Sequence, residues 1–280
     1  MILIDMNQIA LASLMMNRKM NNNKTIDETM VRHMILNSIR MYRKEYHSEY
    51  GEVVLTWDSK HSWRKDYFPE YKASRRKSRE GNKDFWNNIF SILNTIRSEI
   101  KENFPYKYLE VFGAEADDII GFLCEENRDE KIMIISGDKD FIQLQKFPNV
   151  KQWSPITKKD VNGFNPTTYL KEHILRGDAS DSIPNVLSPD NTFSDGLRQR
   201  PLSKKKIQSW LLGGGSDWND EVKRNFQRNS TLIDLSRTPE ELKNQIRLEY
   251  NNAPHGDRSK LLNYFMQNKL KELTENIGEF

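Results

Sequence analysis

A chain of 280 residues, 36% hydrophobic and 30% charged, fits a soluble globular protein of one or two domains at roughly 100 to 200 residues each, and two are expected. Its longest nearly apolar stretch, Ile9 to Met16, is far short of the roughly 18 residues of a membrane span, and no basic segment precedes Ile2-Leu3-Ile4, so membrane and secretory classes are disfavoured. The lone cysteine, Cys124, rules out an intrachain disulfide or a cysteine-rich zinc site and fits a cytoplasmic protein, while a net charge of +3 names no partner by itself.

Ile2-Leu3-Ile4 reads as a short strand, Asp5 follows it, and Ile9 to Met16 suits a helix. The strand is expected to begin almost at the first residue, leaving little room for an N-terminal tether. Apolar residues at helical spacing from Met30 to Tyr46 lead to Val53-Val54-Leu55-Thr56-Trp57, β-branched and aromatic enough for a buried strand, which Asp58 ends. Phe85 to Ile100 carries one apolar helical face, and Tyr108 to Phe112 is expected as a third strand, broken by Gly113. Glu115-Ala116-Asp117-Asp118 opens a helix whose acidic first turn suits the helix dipole. Ile132 to Ile135 is the clearest strand, followed by Ser136-Gly137-Asp138-Lys139-Asp140.

Strands alternating with helices over residues 1–150 predict an α/β fold with a doubly wound, mostly parallel sheet. Beyond about residue 165 the pattern turns helical: Thr167 to Leu175, Lys204 to Leu212, Asn219 to Asn229, Pro239 to Tyr250 and Arg258 to Asn276, with a long loop between Pro184 and Pro201. The expected division is a first domain over 1–165 and an all-helical one over 166–280.

In such sheets the ligand crevice lies beyond the carboxyl ends of the strands. Asp5, Asp58 and Asp138 follow three separate strands, so separated segments deliver acids to one edge. The candidate ligands for hard divalent cations are Asp5, Asp58, Glu115, Asp117, Asp138, Asp140, Asp178 and Asp181, with Glu115/Asp117 and Asp138/Asp140 each spaced as acid-x-acid. Closely spaced acids suit a pair of ions that clamps both oxygens of a phosphoryl transfer. Singly, each acid reads more readily as a turn former or N-cap than as a ligand. Jointly, like charges crowded at one sheet edge are unfavourable without cations. The five histidines show no metal-ligand spacing with Cys124 and read as ordinary surface or core residues. There is no nucleophile elbow and no Gly-rich phosphate loop.

From Lys60 to Arg79 eight bases face only Asp66 and Glu70. Arg64, Lys65, Lys72, Arg75, Arg76 and Lys77 interleave there with Trp63, Tyr67, Phe68 and Tyr71, the mixture of charge and stacking surface that holds single-stranded nucleic acid. An amphipathic helix with its aromatics in the core is the plainer alternative.

The segments Leu3-Ile4-Asp5, Thr56-Trp57-Asp58, Glu115-Ala116-Asp117-Asp118, Ile135-Ser136-Gly137-Asp138-Lys139-Asp140-Phe141 and Gly177-Asp178-Ala179-Ser180-Asp181-Ser182-Ile183-Pro184 stand in order along nearly the whole chain. Together they resemble the 5′-nuclease or flap endonuclease family, most closely its phage branch, to which Asn149 to Pro155 and Leu273 to Phe280 are also similar. The resemblance implies a PIN-like nuclease domain, a helical arch and a helix–three-turn–helix element gripping duplex DNA. It implies two Mg²⁺ ions, replaceable by Mn²⁺, the first held by Asp58, Glu115, Asp117, Asp138 and Asp140, the second by Asp5, Asp178 and Asp181. Tyr71 to Arg75 is similar to the family's arch motif, so Lys72 and Arg75 are expected to act with Asp138 and Asp140 on the scissile phosphate, and Tyr71 to stack on a base. One departure is the insertion of Asn185 to Pro201 before the next basic helix, which leaves Lys204, Lys205 and Lys206, with Arg198 and Arg200, as candidates for phosphate contacts.

The activity implied is 5′-to-3′ exonuclease and flap cutting on RNA·DNA and DNA·DNA duplexes, branched or nicked, with removal of RNA primers in phage lagging-strand replication. A monomer in the cytoplasm of an infected host is expected, with recruitment by a sliding clamp or single-strand-binding protein left open. The rival readings are a PIN-type ribonuclease for single-stranded RNA, a non-catalytic nucleic-acid clamp and a strand-end aspartate phosphatase, the last weakened because Asp5-Met6-Asn7 lacks a second acid.

Overall fold

The computed structural model describes residues 1–215 and 217–280. Six strands, β1 (Ile2–Asp5), β2 (Val53–Thr56), β3 (Lys107–Leu109), β4 (Ile132–Ile135), β5 (Val150–Ser154) and β6 (Lys159–Asp160), form one sheet in the order β3-β2-β1-β4-β5-β6. All neighbours pair in parallel except β5 with β6. The doubly wound α/β expectation is thus borne out. β1, β2 and β4 are buried at every position, which is why they read as unbroken runs of Ile, Val and Leu and not as alternating patterns.

Helices cover both faces. On one lie α1 (Met6–Met20), α2 (Glu28–Tyr50) and α5 (Lys83–Asn103), whose Ile9, Ile35 and Ile96 share a core with Ile2 and Ile4. Asp5 and Asp27 cap the starts of α1 and α2 with their carboxylates, and Gly51, at a φ of 78°, ends α2. On the other face α6 (Ala116–Glu126) places Ile119, Ile120 and Leu123 against Leu3, Val54 and Ile134. Between β2 and α5, the segment expected to form the arch holds two short helices, α3 (Trp63–Tyr67) and α4 (Ala73–Glu80).

Beyond β6 come α7 (Pro166–Arg176), α8 (Lys204–Gly213), α9 (Asp220–Ile233), α10 (Glu240–Asn252), α11 (Leu261–Gln267) and α12 (Lys271–Glu275). No strand interrupts them among the described residues. Asn165 and Pro166 start α7, and Gly177 ends it at a φ of 67°, where a side chain would collide with the Ile183 carbonyl. These helices do not gather into one body. Leu175, Val186, Ile207, Trp210 and Val222 form a core of their own, whereas Leu242 and Ile246 of α10 pack with Leu3, and Leu261, Phe265 and Phe280 pack with Ile2 and Ile4.

Three expectations change. The third strand stops at Leu109, because the chain turns outward and leaves Phe112 exposed against the ring of His61. Arg258 to Asn276 is not one helix but two, broken where Lys269 adopts a φ of 55° and Leu270 turns into the core. Val150 to Ser154, noted only for its phage-like motif, is a strand in full register with β4.

Phe265 is fully buried between Phe104 and Phe280. Phe265→Ala is expected to cost about 3–5 kcal/mol in urea denaturation, the usual price for emptying an aromatic site, with the residues at the strand ends undisturbed.

Candidate functional site

The acids lie where the sheet topology puts them, beyond the carboxyl ends of β1, β2 and β4. Asp5 closes β1, Asp58 stands just past β2 and Asp138 just past β4. Glu115 and Asp117 come from the start of α6, Asp140 from the first turn of a 3-10 helix over Lys139–Lys146, and Asp178 and Asp181 from the loop after α7. Asp117, Asp140, Asp178 and Asp181 line one cleft with Arg64 and Tyr71.

Local hydrogen bonds fix these side chains. The Asp5 carboxylate accepts from the Gln8 N–H at 3.1 Å and from the Ser136 hydroxyl at 2.9 Å. Asp58 accepts from the Ala116 N–H at 2.8 Å, which ties the β2 end to the start of α6. Asp138 caps its own 3-10 helix through the Asp140 N–H at 2.9 Å, and Asp178 accepts from the Ser180 N–H at 2.7 Å. At α6 a capping box joins Glu115 and Asp118, whose carboxylate accepts from the Glu115 N–H at 2.9 Å.

Burial and mutual repulsion set the charges. Asp5 is pushed up to about 7, first by burial and then by Asp58 and Asp138, against the pull of its Gln8 and Ser136 hydrogen bonds. Burial also raises Asp58, with Glu115 adding to it and Lys72 opposing. Asp117 is held well above the ordinary range by burial and by Asp138, Asp5, Glu115 and Asp58, and Asp140 by burial and by Asp138, Asp178 and Asp181. Glu115 goes the other way: burial alone would raise it, but Lys72 and Arg64 hold it at about 2.

Glu115 is where the positive charge enters. Lys72 Nζ lies 2.5 Å from Glu115 Oε1 and 3.7 Å from Asp181, and Arg64 reaches Glu115 at 3.4 Å and Asp118 at 2.8 Å. The Tyr71 hydroxyl donates at 2.7 Å to Glu115 and lies 2.9 Å from Asp181. Arg75 pairs with Asp181 and donates to the Ser180 carbonyl, and Ser74 meets Ser182, so α4 is docked on the loop that carries the last two acids.

The structure brings all eight sequence-predicted acids into this one neighbourhood. Asp5 is repelled by Asp58 and Asp138, while Asp140 is repelled first by Asp138 and then by Asp178 and Asp181, and its carboxylate also lies 3.3 Å from His173 of α7. Two residues of the basic segment are corrected. Tyr71 is only 4% exposed, its ring packed with Phe68, Ile174 and Ile183, so it has no face left for stacking on a base. Arg64 is 2% exposed and spent on Glu115, Asp118 and the Leu232 carbonyl, so it is no surface phosphate contact. Lys65, Arg75, Arg76 and Lys77 are exposed, as are Lys204, Lys205 and Lys206 on the first turn of α8.

Two residues of the site escaped sequence reading. Asp118 is fully buried and joins Arg64, Trp63 and Thr238, a structural hub in the same motif as its catalytic-looking neighbour. His173 on α7 stands 3.3 Å from Asp140 and 3.9 Å from Asp178. No spacing in the sequence announces it, since its partners lie on a 3-10 helix and a loop brought together by packing.

Residues 1–173 match the family model described as 5′-3′ exonuclease, N-terminal resolvase-like domain. The chain belongs to the 5′-3′ exonuclease family. Residues 166–280 match a second model, described as T4 RNase H, C terminal. The chain is 34% identical to the ribonuclease H of Enterobacteria phage T4 over 99% of its own length and 95% of that protein's, so the resemblance to the phage branch holds. It is 32% identical to a 5′-3′ exonuclease of Buchnera aphidicola subsp. Schizaphis graminum over 59% of this chain and 58% of that one. Among solved structures it shares the fold of phage T5 5′-exonuclease with divalent metal ions (zinc) bound, at a TM-score of 0.62 and 16% identity over 90% and 98% of the two chains. It is likewise similar to a phage T5 flap endonuclease complexed with DNA and metal ions, at a TM-score of 0.63 and 17% identity over 89% and 97%.

Two outcomes follow from the charges. Between about pH 4, where Asp5 ionises in the unfolded chain, and about pH 7, where it does so in the fold, the native state binds the extra proton, so this group's contribution to stability falls as pH rises. Asp5→Asn keeps the N-cap acceptor and removes the charge; metal-free, it is expected to melt above the unsubstituted chain at pH 8, with the gap shrinking toward pH 5. Arg64→Ala leaves the fully buried Asp118 without its cation, while Glu115 keeps Lys72, and is expected to cost about 3–5 kcal/mol in chemical denaturation.

Proposed function

We propose that this chain is a divalent-metal-dependent 5′ nuclease that hydrolyses phosphodiesters near the 5′ ends of nicked, flapped and RNA-primed duplexes, by the two-cation route, with Mg²⁺ as the ion and Mn²⁺ able to replace it. The observation that carries this reading is the meeting of eight carboxylates from five separate segments at one sheet edge, with Lys72 and Arg75 above them.

The donor set fits hard cations. It is almost wholly carboxylate oxygen, and every leading influence on Asp117 pushes its charge off, a condition a bound cation reverses. Asp5, Asp58, Glu115, Asp117 and Asp138 would hold the inner ion, and Asp140, Asp178 and Asp181 the outer one. When bound, such ions supply charge for the attacking and departing oxygens and acidify water. The rest falls to the chain. Lys72, held over the cleft by Glu115, and Arg75, held by Asp181, present cationic groups where charge builds on the scissile phosphate. Arg76 and Lys77 on α4, with Lys65, steer the strand, and Lys204, Lys205 and Lys206 take backbone phosphates of the duplex. We place the start of the duplex-gripping segment near residue 165, with α7, α8 and α9 as its body and α10 to α12 returning to the sheet. Primer removal during phage replication, as a monomer in the infected cell, is the role these parts suit.

The test is cleavage of nicked, flapped and RNA-primed duplexes with and without Mg²⁺. Cutting of single-stranded RNA alone would favour the PIN-type ribonuclease, and binding without cutting would favour a clamp. Asp138→Asn and Asp117→Asn are expected to abolish cleavage while keeping most DNA affinity. Lys72→Ala is expected to slow single-turnover cleavage about 100-fold with a much smaller change in the binding isotherm. Mg²⁺ is expected to raise Tm, more at pH 8 than at pH 5.5, because the raised carboxylates must lose protons to bind it.

A further inference from the structure

We infer that His173 supplies a nitrogen ligand to the outer cation site, making it a mixed Asp140–His173–Asp178 centre instead of an all-carboxylate one. The inference rests on the metal-dependent reading above and adds to it the identity of one donor and the metal preference that follows.

Three observations converge on the ring. One donor atom from each of Asp140, His173 and Asp178 lies within 4.8 Å of the others. His173 Nδ1 is 3.3 Å from Asp140 Oδ1, yet it is buried and makes no hydrogen bond, so it is aimed at a carboxylate without being bonded to it. Nε2 faces the other acid, 3.9 Å from Asp178 Oδ2. Around an octahedral ion with bonds of about 2.1 Å, adjacent donors are about 3 Å apart and opposite ones about 4 Å, so Nδ1, the nitrogen without a hydrogen bond, stands at the spacing of an adjacent donor from Asp140 Oδ1, and the three residues' ligand atoms have to draw in from within 4.8 Å of one another. A ring with one nitrogen on the ion and the other toward a carboxylate is the usual way a histidine ligand is fixed in tautomer and plane. The plane is already set: the ring packs edge-on to Tyr169, with centroids 5.9 Å apart. Burial also lowers its tendency to protonate, leaving the neutral imidazole that a metal requires.

The other four histidines are engaged elsewhere, His33 beside Glu272, His47 on the Gly51 carbonyl, His61 with Asp66 and His255 near the Ala253 carbonyl. A nitrogen signal from a bound ion would therefore come from His173. A nitrogen donor also shifts preference away from Mg²⁺ and toward Co²⁺ and Ni²⁺, since imidazole suits the later metals and carboxylate the harder ones.

The experiment is pulsed EPR on the full chain loaded with Mn²⁺, beside calorimetric titrations with Mg²⁺, Mn²⁺ and Co²⁺. Expected are modulations from a directly bound imidazole nitrogen, lost in His173→Gln, and a fall in Co²⁺ affinity at the outer site of about 10-fold or more with a much smaller change for Mg²⁺. Should the variant fold poorly by circular dichroism, the unsubstituted chain labelled with ¹⁵N-histidine decides, because a coordinated ring changes its modulation frequency. Mn²⁺ bound with no nitrogen coupling in the unsubstituted chain overturns this inference and leaves the metal-dependent reading standing. No Mn²⁺ bound at all overturns both.

Discussion

Repulsion among eight carboxylates at one end of a parallel sheet is the constraint around which the molecule is built. Water cannot relieve it, since burial is the first cause of the raised Asp5, Asp58, Asp117 and Asp140. The chain offsets only part of it. Arg64 and Lys72 neutralise Glu115, Arg75 neutralises Asp181, and the N–H groups of Gln8 and Ala116 steady Asp5 and Asp58. The remainder is stored in a rigid frame, ready for external positive charge. That is the economy of a preorganised electrostatic site, in which the fold bears the reorganisation cost in advance.

Such a frame must resist its own charge, and the packing shows how. The acid-bearing strand ends are short extensions of three strands buried at every position, so they have no freedom to splay. The last part of the chain then closes both faces: α10 lies on the α6 side, and α11, α12 and Phe280 lie on the α1, α2 and α5 side. Thr238, just before α10, donates to the buried Asp118, so even this distant segment reaches the back of the acid cluster.

The inner part of this arrangement was legible in the sequence because strand runs ending in acids are a one-dimensional signal of a three-dimensional edge. Asp5, Asp58 and Asp138 needed only the rule that parallel strands share a carboxyl end. The roles inside the basic segment were not legible. Arg64, Tyr71 and Lys72 belong to one stretch of like composition, yet burial separates them: Arg64 and Tyr71 turn inward to Glu115, Asp118 and Asp181, and charge composition does not say which way a residue faces. His173 was passed over for a related reason. Its sequence distance from Cys124 carries no information, because its partners are acids on a 3-10 helix and a loop, assembled only by packing of α7. Asp140 stands between the two sets of acids, repelled first by Asp138 and then by Asp178 and Asp181, a position that its acid-x-acid spacing alone does not reveal.

The segment over 185–201 is a brace. The Asn185 N–H donates to the Gln199 side-chain oxygen at 2.7 Å and the Asn185 side-chain amide donates to the Arg200 carbonyl at 2.8 Å, closing the segment on itself. Asp190 pairs with Arg224 and with the buried Arg228, and Arg228 and Asn229 both donate to the Pro184 carbonyl at 2.9 Å, which ties the segment to α9 at the point where the Asp178–Asp181 loop ends. From the far side Lys77 of α4 reaches the Ser194 carbonyl, while Arg75 and Ser74 grip Asp181 and Ser182. The loop of the outer acids is therefore held between α4 and α9, and Asp190 and Ser194 of the 185–201 segment contact those same two helices. Lengthening a surface segment costs little in loop entropy, and here it adds ordered contacts to the one loop whose carboxylates have no strand beneath them.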